Sequence, residues 1–405
     1  MATTTRTAGH PLHLAHGELW LHRCKGDPYA RVLCGLGDPS PAHEELRGRG
    51  ALSSSRTGTR VTVDRRLAEQ LLGHPALGPQ RFAESPGTSG LRHLDAAFDH
   101  AERAARHRPG AFAATGPGTG PLHALMESVC EAVLDGLGPS FDLVDDLAAP
   151  VATGFVVGLF GLTAAQSSRL AAGVTAAGAL LDAQLCPQRL EVSRRLVAAA
   201  DEVGALLGEL AEQRLHDGLD ALYPVDPGVP AEDGELRALA VLQAVVGVRI
   251  GTALIGRALL TLVDRPELWA AAADPPGAAA VIDETWRHEP PVRIVPLVAR
   301  EGCEVLGFRL TAGERLAVLL AAANRDPHIH PLPGGSRPGR PSSVPRPLLP
   351  GFPVRPAADL FGTLAAVATR ITTARLPGLR SRGPALPHRR APVTQALWGS
   401  PVAVV

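Results

Sequence analysis

Glu284-Thr285-Trp286-Arg287-His288-Glu289-Pro290-Pro291-Val292 leads into Gly307-Phe308-Arg309-Leu310-Thr311-Ala312-Gly313-Glu314-Arg315-Leu316 and then into Ala321-Ala322-Ala323-Asn324-Arg325-Asp326-Pro327, and this succession decides the fold. Glu284 and Arg287 stand three residues apart, so on a helix they share one face and can meet each other and a third charged group. The proline pair Pro290-Pro291 then ends the helix. Extended chain is expected over 292–318, with Gly307 and Gly313 at turns. A lone E-x-x-R pair arises by chance in helical proteins. Its place in this order of helix, proline pair, strands, glycine turn and Ala-Asn-Arg-Asp-Pro makes it specific.

Outward from that core, 235–263 reads as one long helix, apolar nearly all round and about 40 Å long at 1.5 Å per residue. Such a helix belongs in the middle of a core. The β-branched run at 60–63 reads as a strand, after which Asp64 caps a helix at 65–73. Helices are also expected at 91–106, 122–136, 142–160, 163–181, 187–215, 267–273 and 278–288. The stretch 331–356 holds nine prolines and four glycines, which exclude regular structure. A last helix at 357–376 follows from the stripe Leu360, Leu364, Val367 and Ile371. The first ten residues are polar and are expected to be mobile. No internal repeat is evident.

Composition bounds the rest. Forty basic residues balance forty acidic ones over 405 residues, so no net field favours nucleic acid or an anionic membrane. Lys25 is the sole lysine and Ala, Gly and Pro abound, the codon bias of a GC-rich, actinobacterial type of genome. The five cysteines, Cys24, Cys34, Cys130, Cys186 and Cys303, are scattered, with no zinc spacing, which suits a reduced cytoplasm. No apolar signal core opens the chain.

The order of motifs from Glu284 to Pro327, together with Arg390-Ala391-Pro392-Val393-Thr394, resembles the second half of bacterial cytochromes P450. The resemblance implies a mainly α fold with small β-sheets. It also implies that Glu284 and Arg287 are structural, pairing with an arginine from the irregular stretch, for which Arg340 is the candidate. Three departures bear on function. A working P450 ends a glycine-rich loop in a cysteine thiolate that ligates the iron. No cysteine follows Cys303 here, and Leu348-Leu349-Pro350-Gly351-Phe352-Pro353 stands in that region. In the long helix, Gly247-Val248-Arg249-Ile250-Gly251-Thr252 aligns without a gap to the family's oxygen-activating segment, and its acid and alcohol become Arg249 and Ile250. Using Thr252 as the alcohol would need a deletion, which turns the following face by about 100°. Finally, the arginine that commonly holds a haem propionate falls at Leu297, with Arg293 and Arg300 nearby.

The N-terminal runs Gly17-Glu18-Leu19-Trp20, Gly26-Asp27-Pro28-Tyr29-Ala30 and Ser55-Arg56-Thr57-Gly58-Thr59 narrow the match. With the missing cysteine they resemble the P450-like auxiliary proteins that accompany antibiotic glycosyltransferases. That resemblance implies a non-enzymatic protein without haem or other cofactor, which binds and activates a deoxysugar glycosyltransferase. Residues 1–35 are read as an N-terminal extension and 36–405 as one P450-like domain. Trp20, Leu21 and Tyr29 are candidate partner contacts, because aromatic anchors carry interface energy; packing onto this chain's own core is the competing reading. Two other functional classes stay open, an atypical haem oxidoreductase with a non-thiolate ligand and a ligand-binding module. His328 and His330 have the spacing of a polar loop, and His13, His16 and His22 that of surface histidines. Arg249 is expected buried, paired with a carboxylate or facing the vacated haem pocket, and Cys303 is expected to be inert.

Overall fold

The long apolar helix runs through the middle of the molecule, and its packing shows why the sequence keeps two glycines there. The computed structural model describes residues 2–404 apart from 93, 97, 98, 100–119, 211–234, 331, 342, 344, 352, 353, 388–390, 395 and 396. In chain order, helices α1 (Ala2–Cys24), α2 (Pro28–Leu33) and α3 (Ser40–Gly48) come first. Strands β1 (Ser53–Ser54) and β2 (Thr59–Thr62) lead to α4 (Arg65–Gly73) and β3 (Leu77–Pro79). Helix α5 (Pro121–Asp135), strand β4 (Ser140–Asp142) and helices α6 (Ala149–Leu159), α7 (Ala164–Ala176), α8 (Leu180–Leu185) and α9 (Leu190–Gly208) follow. The central helix α10 is Glu235–Leu242 and Val248–Asp264, continuous through a π-helical turn at Gln243–Gly247. Then come α11 (Pro275–His288), β5 (Ile294–Ala299), β6 (Cys303–Val305), β7 (Phe308–Leu310), β8 (Arg315–Leu319) and α12 (Arg355–Arg375). Strands β9 (Leu379–Ser381), β10 (Leu386–Pro387), β11 (Leu397–Gly399) and β12 (Pro401–Val404) close the chain.

Gly247 and Gly251 lie one turn apart on α10 and face the ring of Phe361 on α12. A Cβ on Gly247 would stand 2.1 Å from Phe361 Cε2, and one on Gly251 2.6 Å from Cδ1. Phe155 of α6 meets the same ring edge-on at 5.7 Å between centroids. The three helices are thus locked around one aromatic side chain. Within the described residues, α10 over Ala240–Asp264 is the one unbent helix long and apolar enough to cross a membrane, and it is spent on this core.

The main sheet runs β1-β2-β8-β5-β3, with β2 parallel to β8 and the other pairs antiparallel. Its register sets Leu297 opposite Leu316, so Leu297 is a buried sheet residue. The β6–β7 hairpin turns through Leu306 and Gly307 with φ 49° and 83°, as a two-residue loop of this hand requires. Strand β12 pairs with both β4 and β9, tying the C-terminal strands to residue 140.

Several expectations need correction. The helix read at 142–160 starts as β4 and a π-helical turn at Leu143–Ala148, because the Asp142 side chain accepts from the Val144 and Asp145 N–H groups and fixes a cap. The helix read at 163–181 breaks after Ala176 and resumes at Leu180. The helix read at 187–215 begins at Leu190 and ends at Gly208, its last five expected residues lying outside those described. Most of 91–106 also lies outside them. Helix α1 begins at Ala2, within the polar segment for which no helix was expected. Within the extension drawn at 1–35, Tyr29, Val32 and Leu33 belong to the main hydrophobic core.

Gly247→Ala forces a methyl into the Phe361 ring, and overpacking of this kind costs about 1–3 kcal/mol. Chemical denaturation should show that loss, and it should shrink in a Phe361→Leu background.

Candidate functional site

The carboxylate of Glu284 is the centre of a closed polar cluster. Arg287 donates to it twice, Nε to Oε2 at 2.9 Å and Nη2 to Oε1 at 2.7 Å, while Arg340 Nε donates to Oε2 at 3.0 Å. The Arg337 N–H adds a bond to Oε1 at 2.6 Å. Arg287 also donates to the carbonyls of Pro333 and Gly335, so its guanidinium binds the proline-rich stretch directly. Burial pushes the Glu284 carboxyl up, but the bonds from Arg287, the Arg337 backbone and Arg340 outweigh it and hold the group below its ordinary range. The sequence-read residues Glu284, Arg287 and Arg340 therefore meet. All their charge is spent on structure.

Asn324 is a second clamp. It is fully buried, donates to the carbonyls of Trp286 and Leu348 and accepts from the Leu348 N–H and from Arg65. Arg325 donates to the His288 carbonyl. The Ala-Asn-Arg-Asp-Pro motif thus joins α11, α4 and the irregular stretch.

A haem of the P450 kind would lie between α10 and the segment that supplies its thiolate. The residues described do not fit one. No cysteine follows Cys303, which sits on β6, half-buried in the small hairpin. The Gly247–Gly251 face of α10 is covered by Phe361. Where Pro350, Gly351 and Val354 meet β5 and Leu181, the free space is about 30 Å³, room for a water or two. Leu297 is buried in the sheet, Arg300 lies over Gly78, and Arg293 faces a separate hollow on the other side of β5, beside Asp38 and Ala42. Phe352 and Pro353 lie outside the described residues.

Arg249 and Ile250 diverge. Ile250 is core, whereas the Arg249 guanidinium lies beside Gly178, within the field of Asp182. Asp182 is fully buried and accepts from the Val393 N–H at 2.8 Å and from Thr394 Oγ1 at 2.6 Å. Burial pushes its carboxyl up to about 6, against the pull of the Thr394 and Val393 bonds and of Arg249. The carboxylate expected near Arg249 is therefore Asp182, and it also anchors the C-terminal Pro-Val-Thr run.

His330 departs from its expected polar loop. It is fully buried, and burial followed by Arg65, Arg287 and Arg340 takes its ring down to about 4, which keeps it neutral. His16 Nδ1 bonds the Leu12 carbonyl along α1. Among the described residues no three His, Cys, Asp or Glu side chains form a metal-binding group. Burial, then the acids Glu301 and Glu314, raises the Cys303 thiol.

The N-terminal motifs meet at Asp27. Its carboxylate caps α2 through the Ala30 N–H at 2.9 Å and accepts from Ser55 Oγ at 3.0 Å and the Arg56 N–H at 2.8 Å. Gly26-Asp27-Pro28-Tyr29-Ala30 and Ser55-Arg56-Thr57 are therefore one intramolecular unit. Tyr29, expected at a partner surface, is 1% exposed in the core, so that expectation is corrected. Trp20 and Leu21 are 60% and 43% exposed. Trp20 faces an open apolar groove of about 1120 Å³ between α1 and the C-terminal strands, with Leu36, Val192, Leu386 and Trp398 among its walls. Trp398 and Leu386 escaped the sequence reading because a short edge strand gives no periodicity; the one signal was a tryptophan among small and polar residues.

No protein-family model matches the chain. It is 35% identical to protein AknT of Streptomyces galilaeus, over 98% of this chain and 96% of the relative. It is 31% identical to the cytochrome P450 family protein EryCII of Saccharopolyspora erythraea, over 99% of each. The erythromycin C-12 hydroxylase of the same organism is 30% identical over 55% of this chain. The solved structure of P450BioI, in complex with an acyl carrier protein ligated to hexadec-9Z-enoic acid, superposes with a TM-score of 0.76 at 20% identity, covering 91% of this chain and 99% of that one. This shows the P450 fold.

Glu284→Gln strips the buried arginines of their counter-charge, a change that costs about 3–5 kcal/mol for a buried pair, and equilibrium unfolding in urea measures it. Asp182 titrates higher in the fold than in the unfolded chain, so the stability it contributes is full in acid and falls as pH rises through about 6. Arg249 limits that fall. Arg249→Met should therefore be worse relative to the parent at pH 8 than at pH 5, by about 1.4 kcal/mol per pKa unit. An equal difference at both pH values would remove the coupling.

Proposed function

Since the chain belongs to the P450-like auxiliary proteins that accompany antibiotic glycosyltransferases, we propose that it works without haem, binding a deoxysugar glycosyltransferase and bringing it to its active form. The observation that carries this reading is a full-length match to auxiliary relatives in a chain with no cysteine beyond Cys303. The P450 scaffold then serves its surface. Five unpaired cysteines suit a cytoplasmic place of work.

The physical route is linkage. A partner that binds only the competent transferase shifts its population by RT ln(1 + [L]/Kd), about 2.7 kcal/mol at 100-fold excess over Kd. The groove walled by Trp20, Leu36, Leu386 and Trp398 supplies the contact in this reading, because a contiguous exposed apolar surface with aromatic anchors is where interface energy concentrates. Leu21 is exposed on α1 outside the residues that line the groove, and Tyr29 acts only by holding α2 in place.

Coexpression of the neighbouring glycosyltransferase with and without this chain, followed by measured sugar transfer, tests the proposal; equal transfer in both cultures would remove it. Purified protein given haem should show no Soret band, and its appearance would favour the haem enzyme instead. Trp20→Ala and Trp398→Ala should each weaken copurification of the transferase by about tenfold or more with the thermal transition unchanged.

A further inference from the structure

Away from the clusters above, unbalanced positive charge gathers where the start of β5, the turn before α3 and residues 391 and 392 meet. A hollow of about 680 Å³ lies there, with Arg23, Arg31, Asp38 and Arg293 in its walls beside Leu36 and Pro392. Two of the four charged groups already have partners, though Asp38 remains an anion among them. Arg31 pairs with Glu45, and Asp38 accepts from the Ser40 N–H at 2.9 Å and from its hydroxyl at 2.7 Å. Arg23 and Arg293 have no ion-pair partner among the described residues. The Arg293 backbone is fixed on both sides, its N–H donating to the Val393 carbonyl at 2.7 Å and its carbonyl accepting from the Ala321 N–H at 3.3 Å, so the point from which the side chain springs is held.

The surroundings deepen the imbalance. Arg257 and Arg325 stand behind Arg293; Arg257 is paired with Glu289, while Arg325 spends its donors on the His288 carbonyl. Burial first and then Arg325 draw Arg293 down to about 10. Burial, Arg293, Arg325 and Arg47 draw the neighbouring His43 ring down to about 3. Asp38 and Glu289 offset only part of this, so the Arg293 guanidinium stays disfavoured by burial and by Arg325, and an added anion would relieve it.

We propose that this hollow is an anion-binding site that takes a phosphoryl group, held by Arg293 from within and by Arg23 at its half-exposed edge. Two guanidiniums without an ion-pair partner match the double charge of a phosphoryl group better than the single charge of a carboxylate, and the planar fork of each suits its oxygens. The site is independent of the partner reading, because it needs only this chain.

Titration calorimetry of the full chain with inorganic pyrophosphate at low ionic strength tests it. Saturable one-to-one binding is expected, weakened at least about tenfold by Arg293→Gln and about threefold by Arg23→Gln. Pyrophosphate should also raise the His43 pKa, read by NMR, as the added charge offsets the guanidinium field. Should Arg293→Gln fail to fold, Arg23→Gln alone decides. Absence of saturable heat, binding indifferent to the variants that fold, or acetate binding as tightly as pyrophosphate would each overturn the assignment.

Discussion

A carboxylate removed from water must have every oxygen satisfied, and the fold is arranged around meeting that demand at Glu284. One helix, α11, supplies both the acid and its first guanidinium, but four donor bonds reach it in all, and two of them come from Arg337 and Arg340 in the proline-rich stretch. Proline and glycine there prevent the backbone from pairing with itself. The stretch is therefore held from outside, by Glu284 and Arg287 on one side and by Asn324 on the other. Once 331–356 is fixed, the start of α12 is fixed too, and with it the placing of Phe361 against α10. A buried charge cluster is thus tied through the chain to a contact in the apolar centre.

Much of this was legible in sequence, and the reasons differ by element. The central helix, the last helix and the E-x-x-R helix announce themselves because long apolar periodicity admits one geometry, and Arg340 followed from the family pattern. Boundaries such as the breaks near 142 and 177 were not legible, since the side-chain cap by Asp142 and the turn at Gly178 interrupt an unbroken apolar pattern. Asp182 was invisible for a different reason: a buried acid bonding Thr394, more than two hundred residues away, leaves no local signature.

The N-terminal motifs teach a related point. Their aromatic residues suggested a surface for a partner, yet Asp27 binds two of the motifs to each other and Tyr29 faces the core. A short polar motif around a proline encodes a cap as readily as a contact. What remains outward is Trp20, and the residues that join it come from the far end of the chain, where no pattern predicted them.

That distance has a consequence for how the surface comes into being. One wall of the groove is α1, and the other is the β10–β11 region far along the chain from it. The apolar cleft exists only after β10 and β11 have been translated and paired, so a chain shortened before Leu386 presents neither the cleft nor its second tryptophan. The groove therefore reports long-range folding, since α1 alone displays Trp20 without the wall that faces it.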